Sequence, residues 1–82
     1  MATYLEDEFI FEYEDENQEE AELYVKSEIE VASGGFIYWV YQEKGKTGDL
    51  CWLLKKIAPH LLKDIENEVY NRGEKLREEA AA

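Results

Sequence analysis

Residues 21–42 read AELYVKSEIEVASGGFIYWVYQ. In the first half Ala21, Leu23, Val25, Ile29 and Val31 alternate with Glu22, Tyr24, Lys26, Glu28 and Glu30, and Ser27 shares the apolar side. Period-two alternation over this length describes a strand with one buried and one wet face. Ser33, Gly34 and Gly35 interrupt it, and Phe36–Gln42 resumes as a strand rich in aromatic and β-branched residues. A Gly pair between two such runs signals a hairpin, because primed turns need φ > 0. With Gly34 and Gly35 as the two turn residues, Val31 faces Tyr38 and Ile29 faces Val40 on the core side. Trp39 then faces Glu30, Tyr41 faces Glu28 and Ile37 faces Ala32 on the other. A one-residue slip would exchange the two faces of the third strand.

Toward the N-terminus, Phe9, Phe11 and Tyr13 alternate with Ile10, Glu12 and Glu14. Residues 15–20 are a polar connection. Pairing Tyr13 with Ala21 puts Phe9, Phe11, Leu23 and Val25 on the core side and leaves Ile10, Glu12, Glu14, Glu22 and Tyr24 outside. The spacing predicts strands at about 8–14, 21–32 and 36–42.

Toward the C-terminus, Glu43–Gly48 reads as a flexible loop and Asp49 as a helix N-cap, with Thr47 as its rival. Leu50, Leu53, Leu54 and Ile57 recur at helical spacing and predict a helix over about 50–57. Pro59 stops it and suits the first turn of a second helix over about 59–77. Leu61, Leu62, Ile65, Val69 and Leu76 form that helix's apolar stripe. Gly73 weakens it late, and residues 78–82 are expected to fray. The fold class is α+β: a single domain, 1–82, with a three-stranded antiparallel β-meander packed against a short helix and a longer C-terminal helix.

The chain has 82 residues, 20 Asp plus Glu against 9 Lys plus Arg, and a net charge of −11. At 45% hydrophobic and 13% aromatic it is too apolar for a disordered acidic chain. The charge excludes direct nucleic-acid binding and anionic membranes, since phosphate needs a cationic surface. No apolar run reaches the roughly 18–20 residues of a membrane span, and residues 1–7 have neither the basic nor the apolar region of a signal peptide. Cys51 is the only cysteine, so a reduced, cytoplasmic setting is expected. Among Leu50, Trp52, Leu53 and Leu54 it reads as a buried small hydrophobe rather than a nucleophile. Cys51 and His60 alone cannot make a zinc site, and Asp15–Glu20 lacks the spacing of a calcium loop. Neither a metal, nor a cofactor, nor an enzymatic activity is expected.

The charge is unevenly placed. Residues 1–30 hold Glu6, Asp7, Glu8, Glu12, Glu14, Asp15, Glu16, Glu19, Glu20, Glu22, Glu28 and Glu30 against Lys26 alone, which equals the whole net charge of −11. Lys44, Lys46, Lys55, Lys56 and Lys63 make the following loop and first helix locally basic, more simply as a solvated face than as an anion site. The outer sheet face therefore mixes Glu12, Glu14, Glu22, Glu28 and Glu30 with Tyr24, Trp39 and Tyr41. Trp and Tyr are enriched in binding hot spots, and these eight residues are the candidate partner-binding site. The partner fitting them is a protein with a basic surface. Same-face strand residues lie about 6.6–6.8 Å apart, about twice the ~3.4 Å rise per phosphate of one DNA strand, so a carboxylate row can compete for a nucleic-acid-binding groove. Two other readings are open: the face is a homodimer interface, or Tyr4 and Leu5 cover it.

The stretches Phe9–Tyr13, Leu23–Val31, Asp49–Leu54 and Pro59–Tyr70 resemble, in texture, a loose group of small acidic proteins encoded by bacteriophages and prophages. These carry an acidic, aromatic meander followed by a short helix and a proline-started helix. The resemblance implies a small accessory protein: many such proteins have no assigned activity, and some of similar size and charge inhibit host defence nucleases or other nucleic-acid enzymes. It carries over no functional residue, and the basic stretch Lys44–Lys63 departs from a uniformly acidic mimic.

Overall fold

The computed structural model describes residues 3–42 and 48–81. Three strands, β1 (Tyr4–Glu14), β2 (Glu20–Glu30) and β3 (Phe36–Tyr41), form one antiparallel sheet in the order β1-β2-β3. Two helices follow, α1 (Cys51–Ile57) and α2 (Pro59–Ala81). The architecture is the α+β meander that the alternation predicts. Lys44, Lys46 and Thr47 lie outside the described residues.

β1 and β2 pair in the expected register, Tyr13 opposite Ala21. Their turn is built by Asp15, whose Oδ1 accepts hydrogen bonds from the Asn17 and Glu19 N–H groups at 2.8 and 3.0 Å. Gln18 takes the left-handed position at φ 62°. Asp15–Glu20 is thus a hairpin turn, with the Asp15 carboxylate aimed at backbone. β1 starts four residues earlier than its aromatic alternation suggests, because Asp7 sits at a core-side position and breaks the pattern. Arg72 of α2 resolves that position with a paired contact, Nε to Oδ2 at 2.6 Å and NH2 to Oδ1 at 3.2 Å. Its guanidinium also lies over the Phe9 ring, 4.5 Å from the centroid. The hydrogen bond to Asp7 holds the Arg72 pKa above its ordinary value.

The second hairpin corrects the expected register. Tyr38 lies opposite Ser27, not Val31, and Phe36 opposite Ile29. The reason is the turn. Only Gly34 adopts positive φ (78°), and Glu30 pairs with Gly35, leaving Val31–Gly34 as the loop. β2 accordingly ends at Glu30 rather than at Ala32. The slip is four residues, an even number, so every side chain of β3 keeps its expected face. Arg77 closes this loop from α2, its Nε donating to the Val31 carbonyl at 2.9 Å.

Leu23, Val25 and Val40 meet Leu54, Ile65 and Val69 in the core, and Ile29 is buried beside Gly73. Phe9, Phe11, Tyr13, Phe36 and Tyr38 are only partly buried around it. Ala58 ends α1, its N–H donating to the Leu54 carbonyl at 2.8 Å, and its own carbonyl accepts from Leu61 and Leu62 at the start of α2. The helix break falls where Pro59 demands it. α2 runs to Ala81 rather than ending at about residue 77, and it continues through Gly73. There the glycine lets the helix approach the sheet, since a Cβ at this position would run into the Ile29 side chain.

This contact makes a testable claim. Gly73→Ala should lower stability by about 1–3 kcal/mol through overpacking, although alanine favours helix by up to ~1 kcal/mol. Pairing it with Ile29→Val should recover part of the loss in thermal unfolding. A stabilised single variant would show that α2 is free to move away from Ile29.

Candidate functional site

The helices cover one face of the sheet. Among the described residues nothing covers the other. Tyr4 and Leu5 do not fold across it. They open β1, Tyr4 opposite Glu30 and Leu5 opposite Ile29.

All eight candidate residues, Glu12, Glu14, Glu22, Tyr24, Glu28, Glu30, Trp39 and Tyr41, lie on this outer face, as period-two alternation requires. Their neighbours differ from the expected ones. Tyr41 stands opposite Tyr24 rather than Glu28, and Trp39 opposite Lys26 rather than Glu30. The face therefore reads in rows across the strands. Glu14 and Glu20 form one row, Glu12 and Glu22 the next. Ile10, Tyr24 and Tyr41 follow, then Glu8, Lys26 and Trp39, then Glu6, Glu28 and Ile37. Glu30 lies beyond, beside Tyr4. Two groups of carboxylates flank an aromatic belt, and the eight residues do not form one continuous acidic patch.

Glu6, Glu8, Ile10, Glu20 and Lys26 belong to this surface as well. The pairing of β1 with β2 carries Glu6 and Glu8 into the rows, and early alternation through Tyr4 and Glu6 was the available signal. Lys26 is the single base of the face. It contacts Glu8 at 3.5 Å and lies 5.9 Å from the Tyr41 ring centroid. That ion pair is exposed on both sides and contributes little to stability. A shallow depression of about 130 Å³ runs between Glu6, Glu8, Lys26, Glu28 and Trp39. Elsewhere the rows oppose like charges: Glu12 against Glu22, Glu14 against Glu20, Glu6 against Glu28. Directly opposed like charges destabilise a sheet. A cationic partner would relieve that cost.

The strand that carries Trp39 and Tyr41 is held along its outer edge. Asp49 does not act as the expected simple N-cap; the cap position of α1 is Leu50, with no side-chain cap bond. Asp49 Oδ1 accepts from both the Val40 and Cys51 N–H groups, each at 3.0 Å. The Leu50 N–H donates to the Val40 carbonyl at 2.7 Å. Val40 lies between Trp39 and Tyr41, so this clamp fixes the strand that presents both. Burial works against the charged Asp49, but hydrogen bonds from Val40 and Cys51 outweigh it and hold the carboxyl below its ordinary pKa. Cys51 is half-buried rather than fully enclosed. Burial first, then the Asp49 carboxylate, push its thiol up to about 12. A thiol so raised is a poor nucleophile at neutral pH. Burial and the nearby Glu66 likewise raise Tyr38 to about 12.

Lys55, Lys56 and Lys63 are exposed along the helices. Among the described residues no group of three or more His, Cys, Asp or Glu side chains is placed to hold a metal ion. No described helix is long and apolar enough to cross a membrane. No family model matches the chain, and neither a curated protein nor a solved structure matches it.

The Asp49 clamp predicts a pH dependence. A carboxyl whose folded pKa is depressed contributes stability that is present above the ordinary Asp value of about 3.9 and lost as pH falls through the folded value. Asp49→Asn should therefore lower stability by about 1 kcal/mol at neutral pH. The gap in thermal midpoint between the two proteins should narrow on acidification toward and below the ordinary Asp value. A gap that stays constant across this range would show that the charge of Asp49 does not matter.

Proposed function

We propose that this protein is a non-enzymatic binding protein whose outer sheet face docks on a basic surface of a partner protein. Tyr24, Trp39 and Tyr41 are its anchors. Glu12, Glu14 and Glu22 on one side, and Glu28 and Glu30 on the other, are its charged rim. The observation that carries this reading is the row order of the face: an aromatic belt between two carboxylate groups, uncovered among the described residues. Interfaces with a desolvated aromatic centre and a polar rim follow the same plan. The like-charge rows support it further, because opposing glutamates cost stability that a cationic partner would return.

A nucleic-acid enzyme of a host cell is one partner class that the carboxylate spacing permits, as it does for any acidic strand, and inhibition would follow from occupying its basic groove. The resemblance to phage- and prophage-encoded proteins agrees with that setting, in the cytoplasm of the host. A homodimer formed through the same face is disfavoured, since two copies would press their carboxylate rows together.

The test is capture of host proteins by the wild type and by a Trp39→Ala, Tyr41→Ala double variant. A specific partner should bind the wild type, lose at least about tenfold in affinity to the variant, and dissociate as salt is raised. Recovery of the same proteins in the same amounts by both would remove the sheet-face reading.

A further inference from the structure

The sheet has two edges of opposite character. β1 carries Glu6, Glu8, Glu12 and Glu14 along its length. β3, Phe36–Tyr41, has no charged residue at all. Long edges are normally blunted by charge, by a covering segment or by a bulge. On β3 the covering is partial. Val40 turns its N–H and C=O away from β2, toward Asp49 and Leu50. Backbone groups alternate in direction along an antiparallel strand, so Phe36 and Tyr38 turn theirs to the same side. Among the described residues no backbone group pairs with them; the one contact is the Cys51 thiol at 3.9 Å from the Tyr38 carbonyl. Beside them runs a groove of about 450 Å³ between β3 and the helices, lined by Phe36, Ile37, Tyr38, Trp52, Lys55 and Glu66, among others. Trp52 is 63% exposed and Ile37 55% exposed, among the largest apolar exposures of the molecule.

We infer that this edge pairs with the same edge of a second copy of the chain. The two strands would run antiparallel about a two-fold axis at Ile37, with Phe36 of each copy opposite Tyr38 of the other. That register lets both outward residues of each strand exchange backbone hydrogen bonds and joins the sheets edge to edge. Charge selects the occupant. Two chains of net charge −11 repel through most approaches, and pairing through β1 or face to face would set glutamates against glutamates. β3 itself is uncharged, and among the described residues its groove carries one cation and one anion, Lys55 and Glu66. One cation and one anion in the same groove would let Lys55 of each copy meet Glu66 of the other, the self-complementarity an isologous interface requires. Trp52 and Ile37 would be covered at the same time. Ile37 apart, the carboxylates and the aromatic belt of the outer face stay free, so the inference does not depend on what they bind.

Ile37 is exposed and can be changed without disturbing the core. Sedimentation equilibrium of the full chain from micromolar to millimolar concentration should show a reversible monomer–dimer equilibrium. Ile37→Glu and Ile37→Lys should each weaken it at least about tenfold, by placing like charges opposite one another at the axis. An equimolar mixture of the two should recover a dimer, because opposite charges then meet. Amide exchange of the wild type should slow at Phe36 and Tyr38 as concentration rises. A wild type that stays monomeric throughout would overturn the inference. So would charge variants that dimerise like the wild type, or a mixture that shows no recovery.

Discussion

Everything in this fold is hung on β2. It is the only strand with neighbours on both sides, and it contributes Leu23, Val25, Ser27 and Ile29 to the buried side of the sheet. Its alternation must therefore satisfy the core on one face and water on the other, and both neighbours inherit that division through their registers. Gly73 brings α2 down onto Ile29, and Arg72 and Arg77 fasten the helix to β1 and to the second hairpin loop. The consequence for function is indirect but strict. Once the helices take one face, the carboxylates and the aromatic belt have only the other.

The parts that were legible in the sequence are those set by local periodicity. Period two placed three strands, Pro59 placed the helix break, and the parity of each residue placed all eight site residues on one face. What escaped depended on partners distant in the chain. Asp7 is an acid at an inward position, unreadable as part of a strand until Arg72 is brought to it. Gly73 has the composition of a helix breaker, and only the proximity of Ile29 gives it another purpose. The register of β3 depended on which glycine takes positive φ, a choice the Ser33–Gly35 triplet leaves open. The error was even in length, so it moved Trp39 beside Lys26 and Tyr41 beside Tyr24 without turning either inward. The eight candidate residues kept their common face and changed their neighbours.

That pattern gives the charge a different meaning. A uniformly acidic surface is explained by solubility alone. Carboxylates stacked directly across strands, with one lysine among them, cost the fold stability that solubility does not require. The belt of Ile10, Tyr24, Tyr41 and Trp39 divides them at the centre of the face, where dehydration on docking would be greatest.

The Asp49 clamp on Val40 has a consequence for the chain's behaviour when crowded. Phe36–Tyr41 is a hexapeptide of β-branched and aromatic residues with no charge and no proline. Such segments are the nuclei of cross-β aggregates when their edges lie bare. Here the edge is finite, since Asp49 and Leu50 occupy the backbone of Val40 and leave a stretch too short for open-ended growth. The hazard is therefore governed by a local event, the lifting of residues 48–57 away from β3, and not by the global stability of the domain. Acid, which neutralises Asp49, would loosen that guard.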